Sequence, residues 1–353
     1  MQEQRDCPNC GQGVDGFIIT FSSERAQRDI KQTILSELKP LWRVIDERRL
    51  WLRRKLVYDL LPYWQEFYHL SDWEVRWGTL KFTGEVEEGQ RSSWSEIASL
   101  KPTMFVDDVI QTGQIRMMMQ PIVDVMKRKT IAYEMLARSV QTDGSVISPA
   151  ELYQSAREQN QLFRLDRACR IAAIETVSKV PDNQLVFINF VPTSIYVPEH
   201  CLATTVQAAE RCGVERHRIV FEVVETDHVE DLSHLRSILS YYREKGFQCA
   251  LDDFGEGFSD EETMDVLRPD IVKLDRKYVT DIHKNDEKRR TADSIYHQGR
   301  KAGATMLAEG VECEEEAVTL AEIGYTLQQG YWYGKPAWLP VDVDPRKFHV
   351  FHH

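Results

Sequence analysis

From about Thr103 to Trp338 the chain alternates short apolar runs with amphipathic segments of helix length. The apolar runs are Ile115–Val123, Ile131–Leu136, Leu185–Phe190, Ile219–Val224, Gln248–Leu251, Ile271–Leu274, Thr305–Ala308 and roughly Tyr325–Gln328. Helical patterns fill the gaps at Pro149–Gln159, Arg164–Val180, Pro198–Cys212, Leu232–Lys245, Glu287–Ala302 and Glu314–Ile323. Strands with β-branched residues on both faces must be buried on both faces, and helices between them provide the cover. Eight such units predict an α/β fold, a TIM-type (β/α) barrel.

In a barrel of this kind the site is built at the C-terminal ends of the strands. Those positions carry Glu134, Asn189, Glu222, Asp252, Asp253, Lys273, Glu309 and Gln329. Each stands where a buried strand would favour another Val or Ile. Taken singly, each is also what a strand end meeting solvent looks like. Together they place five carboxylates and one lysine at one mouth, and ionised carboxylates are costly there unless compensated. A pair of divalent cations is the economical compensation. Oxygen donors without His or Cys select Mg²⁺ or Mn²⁺ over Zn²⁺.

The net charge of −12 argues against a partner that is a nucleic-acid polymer. No run approaches the ~18 apolar residues of a transmembrane segment, and the acidic, Cys-containing start is not a signal peptide. Seven scattered cysteines make a disulfide scaffold improbable, and a cytoplasmic location is expected.

Residues 1–101 read as a different piece of protein. They hold six of the eight tryptophans and nearly balanced charge, with 15 Lys and Arg against 16 Asp and Glu. Ile30, Ile34, Leu38, Leu41 and Ile45 form a helical stripe. Leu52, Leu56 and Leu60 resume one before Pro62 ends the run, and the Arg48–Lys55 cluster between them is taken as a solvated helix face. Short strands follow over Trp73–Phe82, and Glu85–Lys101 is polar enough for a linker. The expectation is a mostly helical N-terminal region at 1–101, regulatory or dimerising, a barrel at 102–340 and a C-terminal tail at 341–353. Cys7 and Cys10 make half of a zinc site or an ordinary Cys-Gly turn.

The barrel's polar residues sit in segments that resemble a known family. Gln120-Pro-Ile-Val-Asp124 and Tyr133-Glu134-Met135-Leu136-Ala137-Arg138 look like the opening of the EAL domain, the cyclic di-GMP phosphodiesterase module. The resemblance continues through Asn189, Phe221-Glu222-Val-Val-Glu225, Leu251-Asp-Asp-Phe-Gly255, Lys273-Leu-Asp275, Ala308-Glu-Gly-Val-Glu312 and Gln329-Gly-Tyr331, over about 235 residues.

This resemblance implies a metal-dependent hydrolase that opens cyclic di-GMP to linear pGpG, with cyclic di-GMP as ligand. It implies Glu134, Asn189, Glu222 and Asp252 as ligands of one metal, and Asp253 and Glu309 at second-metal or bridging positions. Lys273 matches the catalytic lysine beside the attacking water, in a catalytic set with Glu134 and Glu309. Arg138 matches the grip on a substrate phosphate. Gln120, Asp275, Glu312 and Gln329 match substrate-binding or supporting positions, and Glu225 the support of the Asp-Asp-Phe-Gly loop. A homodimer is implied as well.

Ca²⁺ is expected to inhibit, because it takes more ligands at longer distances than Mg²⁺. The alternative is a catalytically weak receptor that binds the dinucleotide and signals through residues 1–101. Met135 replaces the family's alanine and should face the helix layer, since strand neighbours alternate. Glu256 and Asp260 depart from the family's loop and bear on turnover.

Overall fold

The computed structural model describes residues 14–351 except 34–40, 82, 101–104, 160, 196, 225–231 and 255–260. Cys7, Cys10, Ile34, Leu38, Glu225, Glu256 and Asp260 therefore lie outside the described residues. The chain divides into two compact units, Met1–Met104 and Phe105–His353.

The first unit runs β1 (Val14–Thr20), α1 (Glu24–Thr33), β2 (Trp42–Val44), β3 (Arg49–Arg53), α2 (Arg54–Phe67), β4 (Glu74–Leu80), β5 (Val86–Ser92) and α3 (Trp94–Leu100). Its strands form one sheet in the order β2-β3-β1-β4-β5, with every pairing antiparallel. This is a ferredoxin-like β-α-β-β-α-β arrangement with a fifth strand added. The mostly helical region expected from the sequence is thus corrected to a sheet with helices.

The stripe from Ile30 to Ile45 is not one helix: Ile30 is on α1 and Ile45 follows strand β2, after which Asp46 Oδ1 accepts a hydrogen bond from the Arg48 amide at 2.9 Å. That Asx-type turn reverses the chain into a hairpin. The Arg48–Lys55 cluster is not a solvated helix face. Leu50, Trp51 and Leu52 are fully buried in β3, and α2 then continues through Pro62 to Phe67. Trp51 lies across two glycines. Its Nε1 donates to Gly78 O at 3.0 Å, and a Cβ on Gly16 would come within 2.6 Å of its ring. Glu85–Lys101 is not a linker but holds β5 and α3. As an edge strand, β5 carries its charges outward, which is how edges resist pairing with other chains.

The second unit runs α4 (Phe105–Gln111), β6 (Ile115–Asp124), β7 (Lys129–Val140), β8 (Val146–Ile147), α5 (Pro149–Glu158), α6 (Leu162–Thr176) and β9 (Leu185–Phe190). It continues with α7 (Pro198–Cys201), α8 (Ala203–Arg211), β10 (Ile219–Val223), α9 (Leu232–Glu244), β11 (Gln248–Phe254), α10 (Glu261–Leu267) and β12 (Ile271–Leu274). It ends with α11 (Arg276–Val279), α12 (Asp286–Lys301), β13 (Thr305–Ala308), α13 (Glu314–Ile323) and β14 (Leu327–Gln329).

Strand order is β6-β14-β13-β12-β11-β10-β9-β7-β8, and β6 also pairs with β7, so eight strands close a barrel. Seven strands, β7 and β9 to β14, run parallel, as alternation with helices requires, but β6 is antiparallel to both its barrel neighbours, β7 and β14. The connection from Asp124 to Lys129 is too short for a parallel crossover and makes a hairpin instead. Beyond residue 340, Val343, Phe348 and Phe351 are buried in the core between strands and helices, where the Phe348 ring stacks on Tyr333 at 6.2 Å.

The barrel interior is closed by a layer of apolar side chains: Ile122, Ala132, Phe187, Val220, Ala250, Ile271 and Leu307, with Leu327 packed against them. This plug is a packed core, not a pore.

Candidate active site

Side chains on a strand return to the same face every second residue. Stepping two residues from each plug residue toward the mouth therefore gives the next inward layer. From Ala132, Phe187, Val220, Ala250, Ile271, Leu307 and Leu327 the step leads to Glu134, Asn189, Glu222, Asp252, Lys273, Glu309 and Gln329. On the antiparallel β6 it runs backwards, from Ile122 to Gln120, which lies opposite Glu134 in register. All eight barrel strands thus place one polar residue in one layer on top of the plug.

Lys273 is at the centre of this layer and only 1% exposed. Its Nζ donates to Glu222 Oε1, and lies 3.0 Å from Asp252 Oδ1, 3.0 Å from Glu309 Oε2 and 4.0 Å from Glu134 Oε2. Glu134 in turn is held by two amides: Asn189 Nδ2 donates to Oε1 at 2.9 Å and Gln329 Nε2 to Oε2 at 2.6 Å.

Four carboxylates face one ammonium. Burial pushes the Glu222 carboxyl well above its ordinary range, and Asp252 and Glu134 push the same way against Lys273. Burial likewise raises Glu309, to about 8. Burial alone would lower the Lys273 ammonium, yet Asp252, Glu134, Glu222 and Glu309 together hold it well above its usual value.

Besides Asp252 Oδ1, which faces the Lys273 ammonium, three oxygens of this layer, Asn189 Oδ1, Glu222 Oε2 and Gln329 Oε1, are buried without a hydrogen-bond donor. Buried acceptors normally have one. Unsatisfied oxygens beside clustered carboxylates are what a hard divalent cation requires, and the donor set contains no nitrogen or sulfur ligand. The residues present fit Mg²⁺ or Mn²⁺.

Arg138 lies four residues beyond Glu134 on the same strand. It is half-buried, its guanidinium lowered by burial and raised in part by Tyr331 and Glu134. Gln120 Nε2 donates to Gly334 O at 3.3 Å. Asp253 follows Asp252 where the β11–β12 register shifts, and its side chain is outside the described ones.

Asp275 and Glu312 are not brought to the lysine. Asp275 caps α11, its Oδ1 accepting from the Lys277 amide at 2.5 Å, and Glu312 is exposed and paired with Arg276. Met135 does face the helices, beside Tyr153, Cys169 and Ala173 around a cavity of about 310 Å³.

One support was missed by sequence reasoning. Gly330 lets the end of β14 approach the segment after β13, because a Cβ there would meet Val311 O at 2.0 Å. Val311 N donates to Gln329 O at 3.0 Å and Trp332 N to Val311 O at 2.9 Å, so Glu309 and Gln329 are fixed to one another through the backbone. A glycine directly after a strand-end polar residue was the available signal.

The family model described as EAL domain matches residues 105–336, about two thirds of the chain. The chain belongs to the EAL domain family. Among curated proteins, the EAL chain is 29% identical over 245 residues to the probable cyclic di-GMP phosphodiesterase PdeG of Escherichia coli K12, covering 67% of this chain and 48% of that one. It is 27% identical over 236 residues to the cyclic di-GMP phosphodiesterase PdeF of the same organism, covering 65% and 31%. It therefore spans about half or less of those relatives' length.

Among solved structures, a standalone EAL protein from Vibrio cholerae O395 in its c-di-GMP-bound form is 32% identical with a TM-score of 0.59, over 66% of this chain and 97% of that one. A Klebsiella pneumoniae BlrP1 complex with manganese and cyclic di-GMP is 27% identical with a TM-score of 0.59, over 65% and 58%. No helix among the described residues is long and apolar enough to cross a membrane.

Proposed function

We propose that this chain is a phosphodiesterase that hydrolyses one phosphodiester of cyclic di-GMP to give linear pGpG, using Mg²⁺ or Mn²⁺ in a two-metal site. The observation that carries the reading is the complete polar layer: four carboxylates, one buried lysine and three donorless oxygens on eight adjacent strands. Glu134, Asn189, Glu222 and Asp252 would hold one cation, with Asp253 and Glu309 at the second. When bound, such cations supply Lewis acidity toward the phosphate and lower the pKa of a coordinated water.

The chain's own residues supply the rest. Lys273, kept cationic by its four neighbours, orients the attacking water and balances charge as the water oxygen bonds to phosphorus. The bond from phosphorus to the departing ribose oxygen breaks, and that oxygen takes a proton. Arg138, at the rim and partly desolvated, grips a phosphate oxygen. Gln120 and Gln329 belong to the layer itself and border the substrate, while Asp275 caps α11 and Glu312 pairs with Arg276. The cluster's geometry and, separately, the likeness to structures that hold cyclic di-GMP support this over a scaffold role, for which buried carboxylates would be a pure cost.

Incubation of the purified chain with cyclic di-GMP and Mg²⁺ or Mn²⁺, with products resolved by chromatography, tests it. Formation of pGpG is the expected result. Tight binding without pGpG would replace the enzyme with the receptor reading, in which the dinucleotide is held and signalled through residues 1–101.

A further inference from the structure

We propose a second, soft-metal site on the flank of the barrel, a Zn²⁺-type centre built from His283, Cys313 and Glu316. His283 follows β12 and its short α11, Cys313 is the N-cap of α13, and Glu316 lies in the first turn of that helix. One ligand atom from each lies within 4.8 Å of the others. Ligand atoms around a tetrahedral zinc stand roughly 3.5 Å apart, so side-chain adjustments of about an ångström complete the set.

The donors differ from those of the polar layer. Nitrogen and sulfur together with one carboxylate favour Zn²⁺ over Mg²⁺. A second observation points to a ligand: His283 Nδ1 is buried with no hydrogen-bond partner. The two other donors are already held in place. The Cys313 side chain accepts from the Glu316 amide, and Glu316 accepts from the amides of Cys313 at 3.3 Å, Glu312 at 2.8 Å and Asp281 at 2.8 Å. Oε2 accepts the two bonds from Glu312 and Cys313 and Oε1 the one from Asp281, which leaves a lone pair on Oε1 for a metal. Glu315 is beside them, hydrogen-bonded with the Cys313 thiol and electrostatically coupled to His283, and offers a fourth oxygen.

Burial, with the Glu316 and Glu315 carboxylates beside it, holds the Cys313 thiol above its ordinary range, against the amide of Glu316 that lowers it, so it is the metal that displaces its proton to solvent. The site joins the segment after the Lys273 strand to the segment that begins four residues after Glu309, so metal there would tie two walls of the barrel mouth.

The test uses Co²⁺ as a spectroscopic substitute for Zn²⁺ on the full chain carrying Cys7→Ser and Cys10→Ser, which removes the other candidate cysteine pair. A cobalt–thiolate charge-transfer band is expected, one competed away by Zn²⁺ and abolished by adding either Cys313→Ser or His283→Asn. Zn²⁺ affinity should fall at least tenfold in either variant, since even outer-shell changes cost about 10–100-fold. Calorimetric titration with Zn²⁺ and the Zn²⁺-dependent shift in melting temperature provide the second readout if one variant folds poorly. No band in the Cys7→Ser, Cys10→Ser chain, or a band that survives Cys313→Ser, overturns the site. Mg²⁺-dependent turnover is a separate measurement, and its failure would bear on the polar layer and not on this centre.

Discussion

Glu134 stands two residues beyond Ala132 on the same barrel strand, and that step separates the apolar plug from the polar layer above it. The same step repeats on every strand of the barrel. Glu134 also accepts from amides on two other strands, Asn189 and Gln329, so its position is fixed from both sides.

Glu134→Ala and Asp252→Ala should each reduce hydrolysis of cyclic di-GMP by at least about 100-fold, because each removes a ligand and outer-shell losses alone reach that size. The check is pGpG formation under limiting Mn²⁺, with circular dichroism confirming that the barrel is intact. Near-native turnover in either variant would remove that residue from the metal site.

Lys273→Met keeps the side chain's length and removes its charge. It leaves Glu222 and its neighbours buried without their cation, a change that costs about 3–5 kcal/mol when one partner of a buried pair is lost. Urea unfolding of the metal-free protein should show that loss, and saturating Mn²⁺ should restore part of it. A variant as stable as the parent without metal would mean the carboxylates are not ionised around the lysine.

The raised carboxyls predict a pH dependence. Glu309 titrates at about 8 in the folded chain against an ordinary 4.5, and burial moves Glu222 in the same direction. A group with a raised folded pKa binds protons more tightly when folded. Its contribution is complete below about pH 4.5 and is lost as pH rises through about 8. Metal-free protein should therefore lose stability between about pH 5 and pH 8, and Mg²⁺ or Mn²⁺ should flatten the loss. Melting curves across that range with and without metal decide it. A metal-free stability that rises over the same window contradicts the raised pKa values.

The barrel was legible because its strands are buried on both faces, so each reads as an apolar run ended by one polar residue. Glu222 after Ile219-Val-Phe and Lys273 after Ile271-Val are visible in the sequence without further help. Gln120 was not; it precedes Pro121 inside an apolar run, and only the family resemblance pointed to it. The antiparallel direction of β6 was hidden because a strand's period of two is the same in either direction.

The N-terminal sheet was misread for a related reason. Leu52, Leu56 and Leu60 are spaced by four, a distance that suits both a helix face and a strand face, and Leu50–Leu52 extends it by two. The true boundary falls between Arg53 and Arg54, where nothing in the apolar spacing changes.

Ca²⁺ should inhibit in competition with Mg²⁺. It prefers six to eight oxygens at about 2.3–2.6 Å, whereas this layer offers few donors held at fixed positions by the strands. Initial rates at fixed Mg²⁺ with increasing Ca²⁺ should fall, and excess Mg²⁺ should recover them. Equal rates in either cation alone would argue against a tight two-metal site.

The barrel's plug, its closed hydrogen-bonded sheet and the packing of Phe348 and Phe351 all belong to the second unit. Residues 103–353 alone should therefore fold and bind cyclic di-GMP. The first unit has its own sheet and an aromatic core in which Trp64, Trp73 and Trp94 pack edge to face at 5.8–6.5 Å. A unit with its own core joined to an EAL barrel suggests, by analogy only, a regulator or a dimerising element. We expect the isolated barrel to differ from the full chain in turnover, in assembly state, or in both. Steady-state rates and sedimentation at matched concentration measure this. If the barrel alone matches the full chain in rate and in mass, the first unit neither regulates nor dimerises, and it is a passenger or an adaptor for another protein.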